Sequence, residues 1–203
     1  MKKNYWLILL IILIVIGGIF FYKNRVKNSK TGNNKTSQEI VDYILNISSY
    51  EVNITVSVTS NKNSNKYILK QAYQSPNQSI QEVIEPSNIA GVKIENDGTN
   101  LKIENSQLSL NTILENYSYL GDNCLDLYSF IEDYKQDEKA TFEEKDTEII
   151  MKASSNIQNI YIQEKILHID KKTHNPTQME IRDNKQKTTI YILYNEVKVN
   201  STK

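Results

Sequence analysis

Two histidines, one cysteine and a run of carboxylates are the side chains of this 203-residue chain best suited to chemistry. His168 falls in a segment of strand character and His174 in the turn after it, and neither is joined by a second pair of ligands at zinc spacing. Structural or surface roles are therefore expected of both. Cys124 is the only cysteine, so it forms no intrachain disulfide and no thiolate cluster, and it is expected to behave as a small buried hydrophobe. The acidic run Asp133, Asp137, Glu138, Glu143, Glu144, Asp146 and Glu148 lacks the alternating Asp/Asn and central Gly of a calcium loop. It reads as a solvated, charged connection from a helix to a strand. There is no Gly-x-Ser-x-Gly elbow, and six glycines leave little material for a phosphate-cradling loop. A non-enzymatic protein with no cofactor and no metal is expected.

With catalysis unsupported, the clearest periodicity marks the candidate site. Tyr50-Glu-Val-Asn-Ile-Thr-Val-Ser-Val58 alternates apolar and polar at every position, so one face of this strand meets a core or a ligand and the other meets water. Tyr50, Val52, Ile54, Val56 and Val58 lie on the apolar face, and Tyr67, Leu69 and Tyr73 of the next strand fall beside them. These are candidate ligand- or partner-binding residues, and ordinary core is the competing reading. Tyrosine is abundant elsewhere too: Tyr43, Tyr128, Tyr134, Tyr161, Tyr191 and Tyr194 lie mainly in periodic segments, as core and sheet-surface residues with a minority free to serve an amphipathic cavity or an interface.

The elements that must position these residues are mostly strands. Lys66 to Ser75, Ser79 to Glu85, Ala90 to Glu95 and Leu101 to Asn105 follow the first strand, separated by Pro76-Asn77, Pro86-Ser-Asn88 and Asp97-Gly98, the last a strong hairpin signal. Thr36 and Glu39 have capping-box spacing ahead of a short amphipathic helix ending near Asn46. Gln107 to Leu120 fits either a loop crossing the sheet or a short helical turn. Asp122 or Asn123 can cap a second helix, Cys124 to Gln136, that packs Leu127, Phe130, Ile131 and Tyr134 and leaves Asp126, Glu132, Asp133 and Lys135 solvated. The last third returns to strands, Ala140 to Glu144, Thr147 to Ser154, Asn159 to Asp170, Thr177 to Asp183 and Thr188 to Asn200, with a reversal at Ser154-Ser155-Asn156. The fold class is mainly β (α+β), with about ten antiparallel strands and two helices. Such a sheet curls, and helices at one opening can cover a cavity.

Residues 5–22 are uncharged and apolar, enough at ~1.5 Å per residue to approach the ~30 Å hydrocarbon thickness. No small-x-small cleavage site follows, which favours an uncleaved anchor over a signal peptide. The expected organisation is an anchor at 1–23, a basic polar linker at 24–36 and one domain at 37–203. Of the 24 Lys and Arg, six lie in residues 1–30, which hold no Asp or Glu; the remaining 18 face 24 acidic side chains, a net of −6. An acidic domain gives no reason to expect nucleic acid. The cations of residues 23–30 follow the span, so a bare positive-inside count would leave the domain in the cytoplasm.

The order of these elements resembles a known family. The alternating strand after a helix, strands ending near Pro76 and at Glu85-Pro86, Gly91-Val-Lys-Ile94, Asn96-Asp-Gly98 and Leu101-Lys-Ile-Glu-Asn105 are similar to the domain shared by the LolA/LolB lipoprotein carriers and the clostridial germination lipoprotein GerS. Leu167-His-Ile-Asp170, Asn175-Pro176, Met179-Glu-Ile181, Thr189-Ile-Tyr-Ile192 and Val197-Lys-Val-Asn200 resemble its closing hairpins. The resemblance spans residues 38 to 200. It implies a curved, half-open antiparallel barrel with helices over the concave face, outside the cell membrane, where it opposes the charge count. It implies two functions: a scaffold that binds a cell-wall amidase, as in the germination branch, or a carrier or sensor of acyl chains. The chain lacks the lipidated cysteine of the germination lipoproteins and, unlike the soluble carriers, keeps its span.

Overall fold

The computed structural model describes residues 36–60, 63–117 and 123–201. The expected anchor and all of the linker but Thr36 lie outside the described residues, and among those described no helix is long and apolar enough to cross a membrane. Helix α1 (Ser37–Leu45) begins as its sequence predicts. Thr36 Oγ1 accepts the Glu39 N–H at 3.3 Å, and the Glu39 carboxylate accepts the Thr36 N–H at 2.9 Å. The reciprocal pair satisfies backbone donors that the first turn would otherwise leave open. Ile40, Val41 and Ile44 are buried on one face.

A meander of six strands follows: β1 (Ile47–Thr59), β2 (Ser64–Gln74), β3 (Gln78–Glu85), β4 (Lys93–Asn96), β5 (Leu101–Asn105) and β6 (Leu110–Leu114). The chain then crosses to helix α2 (Leu127–Gln136) and a second meander, β7 (Thr141–Glu144), β8 (Glu148–Asn159), β9 (Ile162–Asp170), β10 (Pro176–Arg182) and β11 (Thr188–Ser201). All eleven strands form one antiparallel sheet, in the order β6-β5-β4-β3-β2-β1-β11-β10-β9-β8-β7. The first strand and the last meet at its centre and join the two meanders, with Ile54 opposite Tyr194 and Val56 opposite Ile192. The sheet does not close, and β6 and β7 are its edges.

The Asp97-Gly98 turn connects β4 and β5 as expected. Gly98 holds φ at +95°, a conformation that glycine adopts without a Cβ clash, and Asp97 Oδ1 accepts the N–H groups of Thr99 and Asn100. Three expectations are corrected. Leu110 to Leu114 is an eleventh strand, β6, where the sequence leaves a loop or a helical turn; a short edge strand with only one partner has too few residues to show alternation. The second helix starts at Leu127 with Asp126 as its cap, not at Cys124. Strand β8 runs through Ser154-Ser155-Asn156 and reverses only at Ile160-Tyr161. Those turn-prone residues are held by α2 instead: the Asp137 carboxylate accepts the Ser154 N–H at 2.7 Å and Asp133 accepts the Asn156 N–H at 3.1 Å.

Candidate functional site

All eight candidate residues come together on one face of the sheet. Cross-strand pairing sets Tyr50 opposite Tyr73, Ile54 opposite Leu69 and Val56 opposite Tyr67. Tyr50, Val52, Ile54, Val56, Leu69 and Tyr73 are buried in the hydrophobic core, while Val58 and Tyr67 are half-buried against it. The cover is supplied by Ile40, Val41 and Ile44 of α1 and by Leu127, Phe130 and Ile131 of α2. Tyr73 stacks between Tyr50 and Tyr128, with ring centroids 5.5 and 4.4 Å away. Burial, then its contact with the Tyr128 hydroxyl, raises the Tyr73 phenol well above its ordinary range, so it stays neutral.

Polar groups pin this cover across the interior. Asp126 Oδ1 caps α2 by accepting the Tyr128 N–H at 3.2 Å and also accepts the Tyr50 hydroxyl. Burial pushes Asp126 up to about 6. Further along α2, Lys165 Nζ of β9 lies 2.7 Å from Asp133 Oδ2 and donates to Ser129 Oγ at 2.7 Å. The stretch ahead of α2 is tied to the first meander: Gln71 Nε2 donates to the Leu125 carbonyl at 3.4 Å and Asn123 Nδ2 donates to Gln81 Oε1 at 3.1 Å. Asp126 and Asp133, expected on the solvated face, are both buried, because Tyr50 and Lys165 offer partners there. A serine beside a lysine can make a nucleophile and a base. Here Lys165 is fully buried and committed to Asp133, and Ser129 is sealed beneath the helix, which makes the pair a structural tie.

Of the remaining reactive side chains, His168 and Tyr191 lie on the opposite, outer face. His168 Nδ1 is 2.9 Å from Glu148 Oε2, and the Tyr191 hydroxyl donates to Gln178 Oε1 at 2.5 Å. His174 sits in the turn between β9 and β10. In the acidic run, Glu144 is held below the usual carboxylate range by the Lys171 ammonium at 2.5 Å and by Ser37. Cys124 is half-buried against the core, and burial pushes its thiol up. Among the described residues, no group of His, Cys, Asp and Glu is placed to hold a metal ion.

An accessible concavity lies on that outer face. Side chains of β11, β1, β2, β3, β4, β5 and β6 that point away from the helices line a groove of about 810 Å³. Across it runs a row set by register: Glu51, Ala72, Ile80, Glu95, Lys102 and Ile113. Ala72 and Ile80 form an apolar floor, and Ile113 is exposed at one side. Sequence reasoning missed this surface by following the apolar positions of each strand. The usable signal was the reverse one, Ala72 and Ile80 at strand positions facing away from the core.

A family model described as sporulation protein YdcC-like matches residues 2–202. No curated protein sequence matches the chain. Among solved structures, the chain is similar to the GerS lipoprotein of Clostridioides difficile, solved in complex with the CwlD amidase, with 24% identity and a TM-score of 0.52 over 82% of this chain and 97% of that one. It is also similar to an uncharacterized conserved protein from Thermus thermophilus, with 11% identity and a TM-score of 0.53 over 83% and 90% of the two chains. A LolA superfamily protein from Nitrosomonas europaea matches at 14% identity and a TM-score of 0.44, over 83% and 96%. The resemblance to GerS is thus found, and at this identity it concerns the fold.

Proposed function

The chain belongs to the YdcC-like family of sporulation proteins, and we propose that it is a non-enzymatic scaffold, tethered outside the cell membrane by residues 5–22, that binds a cell-wall amidase. One observation carries this reading. The face beneath the helices is filled with the protein's own side chains, Ile54 and Val56 among them at 1% exposure or less, and the cover over it is pinned at both ends of α2. An acyl chain needs an empty interior, whereas a protein partner needs only surface, and the outer face offers a groove. The amidase as partner is supported by the GerS–CwlD complex, and the extracytoplasmic side by the same likeness.

The test uses full-length protein in sporulating cells, with mild crosslinking and recovery, alongside protease shaving of intact cells. Recovery of a cell-wall amidase with the domain cleaved from outside is the expected result. Recovery of lipid alone overturns the scaffold in favour of a carrier. A protease-protected domain overturns the topology.

A further inference from the structure

Strand β6 pairs on one side only, with β5, and ends the sheet. In an antiparallel strand the backbone N–H and C=O groups of alternate residues turn to opposite sides, so β6 presents an outer row of donors and acceptors that no described segment takes up. Edges of this kind are ordinarily blunted by charge or proline. Edge β7 is blunted: Glu143 and Glu144 are two of its four residues. Strand β6 reads Leu-Asn-Thr-Ile-Leu and carries neither. Exposed apolar side chains gather around it, with Leu108, Ile113, Leu114 and Tyr117 all in solvent and Ile113 60% exposed.

The charge pattern says what fits beside it. Lys70, Glu82, Lys93 and Glu104 alternate in sign across neighbouring strands, and the row ends at uncharged Asn111. Lys93 and Lys102 both pair with Glu95, and Lys102 reaches Glu104 at 2.5 Å, so the ladder is neutralised before it reaches the edge. The complement of an uncharged strand that closes a neutralised ladder is another uncharged strand. A helix satisfies its own backbone and leaves this row of donors and acceptors unused.

We propose that β6 is a docking edge for an extended segment of the partner protein, which adds to the sheet as a further strand. Its backbone bonds to β6, one apolar side chain lies beside Ile113 on the outer face and another beside Leu114 on the inner, and no charged residue stands opposite Asn111 to Leu114. This rests on the protein-binding reading and names the surface that serves it.

The test places photoreactive p-benzoylphenylalanine in the full-length protein, in sporulating cells, at Asn111, Thr112, Ile113 or Leu114, with Thr141 and Phe142 of β7 as controls. The expected result is adducts from β6 alone that map to one segment of about five residues in one protein, with positions 111 and 113 touching residues that alternate with those touched by 112 and 114. Thr112→Lys should cut the yield at position 114 by about tenfold while leaving the urea midpoint of unfolding unchanged. Adducts of this pattern on a protein other than an amidase uphold the edge and overturn the amidase. Adducts only to lipid or to a second copy, or none from β6 while an amidase is recovered by general crosslinking, overturn the edge and leave the scaffold standing. No adduct from any position overturns the edge.

Discussion

The two meanders bury different mixtures of side chain on the same face of one sheet. The second lines it with Met151, Leu167, Met179, Ile181 and Ile192, all at 0% exposure. The first, beyond β1, sets Gln71, Ser79, Gln81, Asn96 and Asn105 among buried Leu69, Tyr73, Val83 and Leu101. The difference follows from what lies on top. Helix α2 satisfies its own backbone and can rest on apolar side chains. The stretch from Asn123 to Asp126 is not helical, so its backbone and side chains need partners, and Gln71 and Gln81 supply them. Asn96 and Asn105 do the same for loops, accepting the N–H groups of Gly98 and Leu108 at 2.8 Å. On this face the buried amides of the first meander answer irregular chain overhead, and the methionines and isoleucines of the second lie under the helices.

The largest test of this contrast falls on β1, which both halves share. Replacing Ile54 and Val56 together with Ser removes two buried apolar side chains and adds two unpartnered hydroxyls, on the order of 5 kcal/mol or more. That approaches the whole stability of a domain, so the double variant should show no cooperative urea transition by circular dichroism. A variant that unfolds at the wild-type midpoint and loses only partner binding would make this face a lining instead of a core.

Next come the polar ties. Lys165→Met strands Asp133 without its cation in the apolar half and should cost about 3–5 kcal/mol. Gln71→Leu in the amide half gives up one long hydrogen bond and relieves Gln71 Oε1, which has no partner, so its effect should stay within about 1 kcal/mol of wild type. Equal costs in the two unfolding curves would erase the distinction. Asp126 sits where the halves meet. Its folded pKa of about 6 lies above the ordinary 3.8, so folding favours the protonated form. That contribution is full below about pH 4 and fades as pH rises through about 6, on the order of 3 kcal/mol. Asp126→Asn keeps an acceptor for Tyr128 and Tyr50 and carries no charge, so it should flatten the stability profile between pH 4 and 8 and exceed wild type at pH 8. A retained slope would place the titration elsewhere. The smallest effect is expected at the β4–β5 turn, where Gly98→Ala should lower the unfolding midpoint by the equivalent of about 1 kcal/mol, from the strained positive φ.

Much of this architecture is legible one segment at a time. The Thr36 and Glu39 box, the alternation from Tyr50 to Val58 and the Asp97-Gly98 turn all appear where their residues call for them, since dihedral preferences and hydrogen bonds spanning a few positions decide each one. The eight candidate residues share one face for the same reason, a period of two. The charges of α2 were not legible. Asp126 is buried because Tyr50, 76 positions away, donates to it, and Asp133 because Lys165 arrives from β9. Strand β6 exists because β5 lies beside it, and its five residues show no period of their own.

Local chemistry therefore wrote the elements, their caps and the inward face of each strand. Whether that face is hollow or filled, which carboxylates enter the interior and which edge stays open were settled when the two meanders met at β1 and β11 and both helices came down on one side. Those outcomes depend on partners far apart in the chain, and a buried charge or an apolar lining is stable only once its distant neighbour is in place.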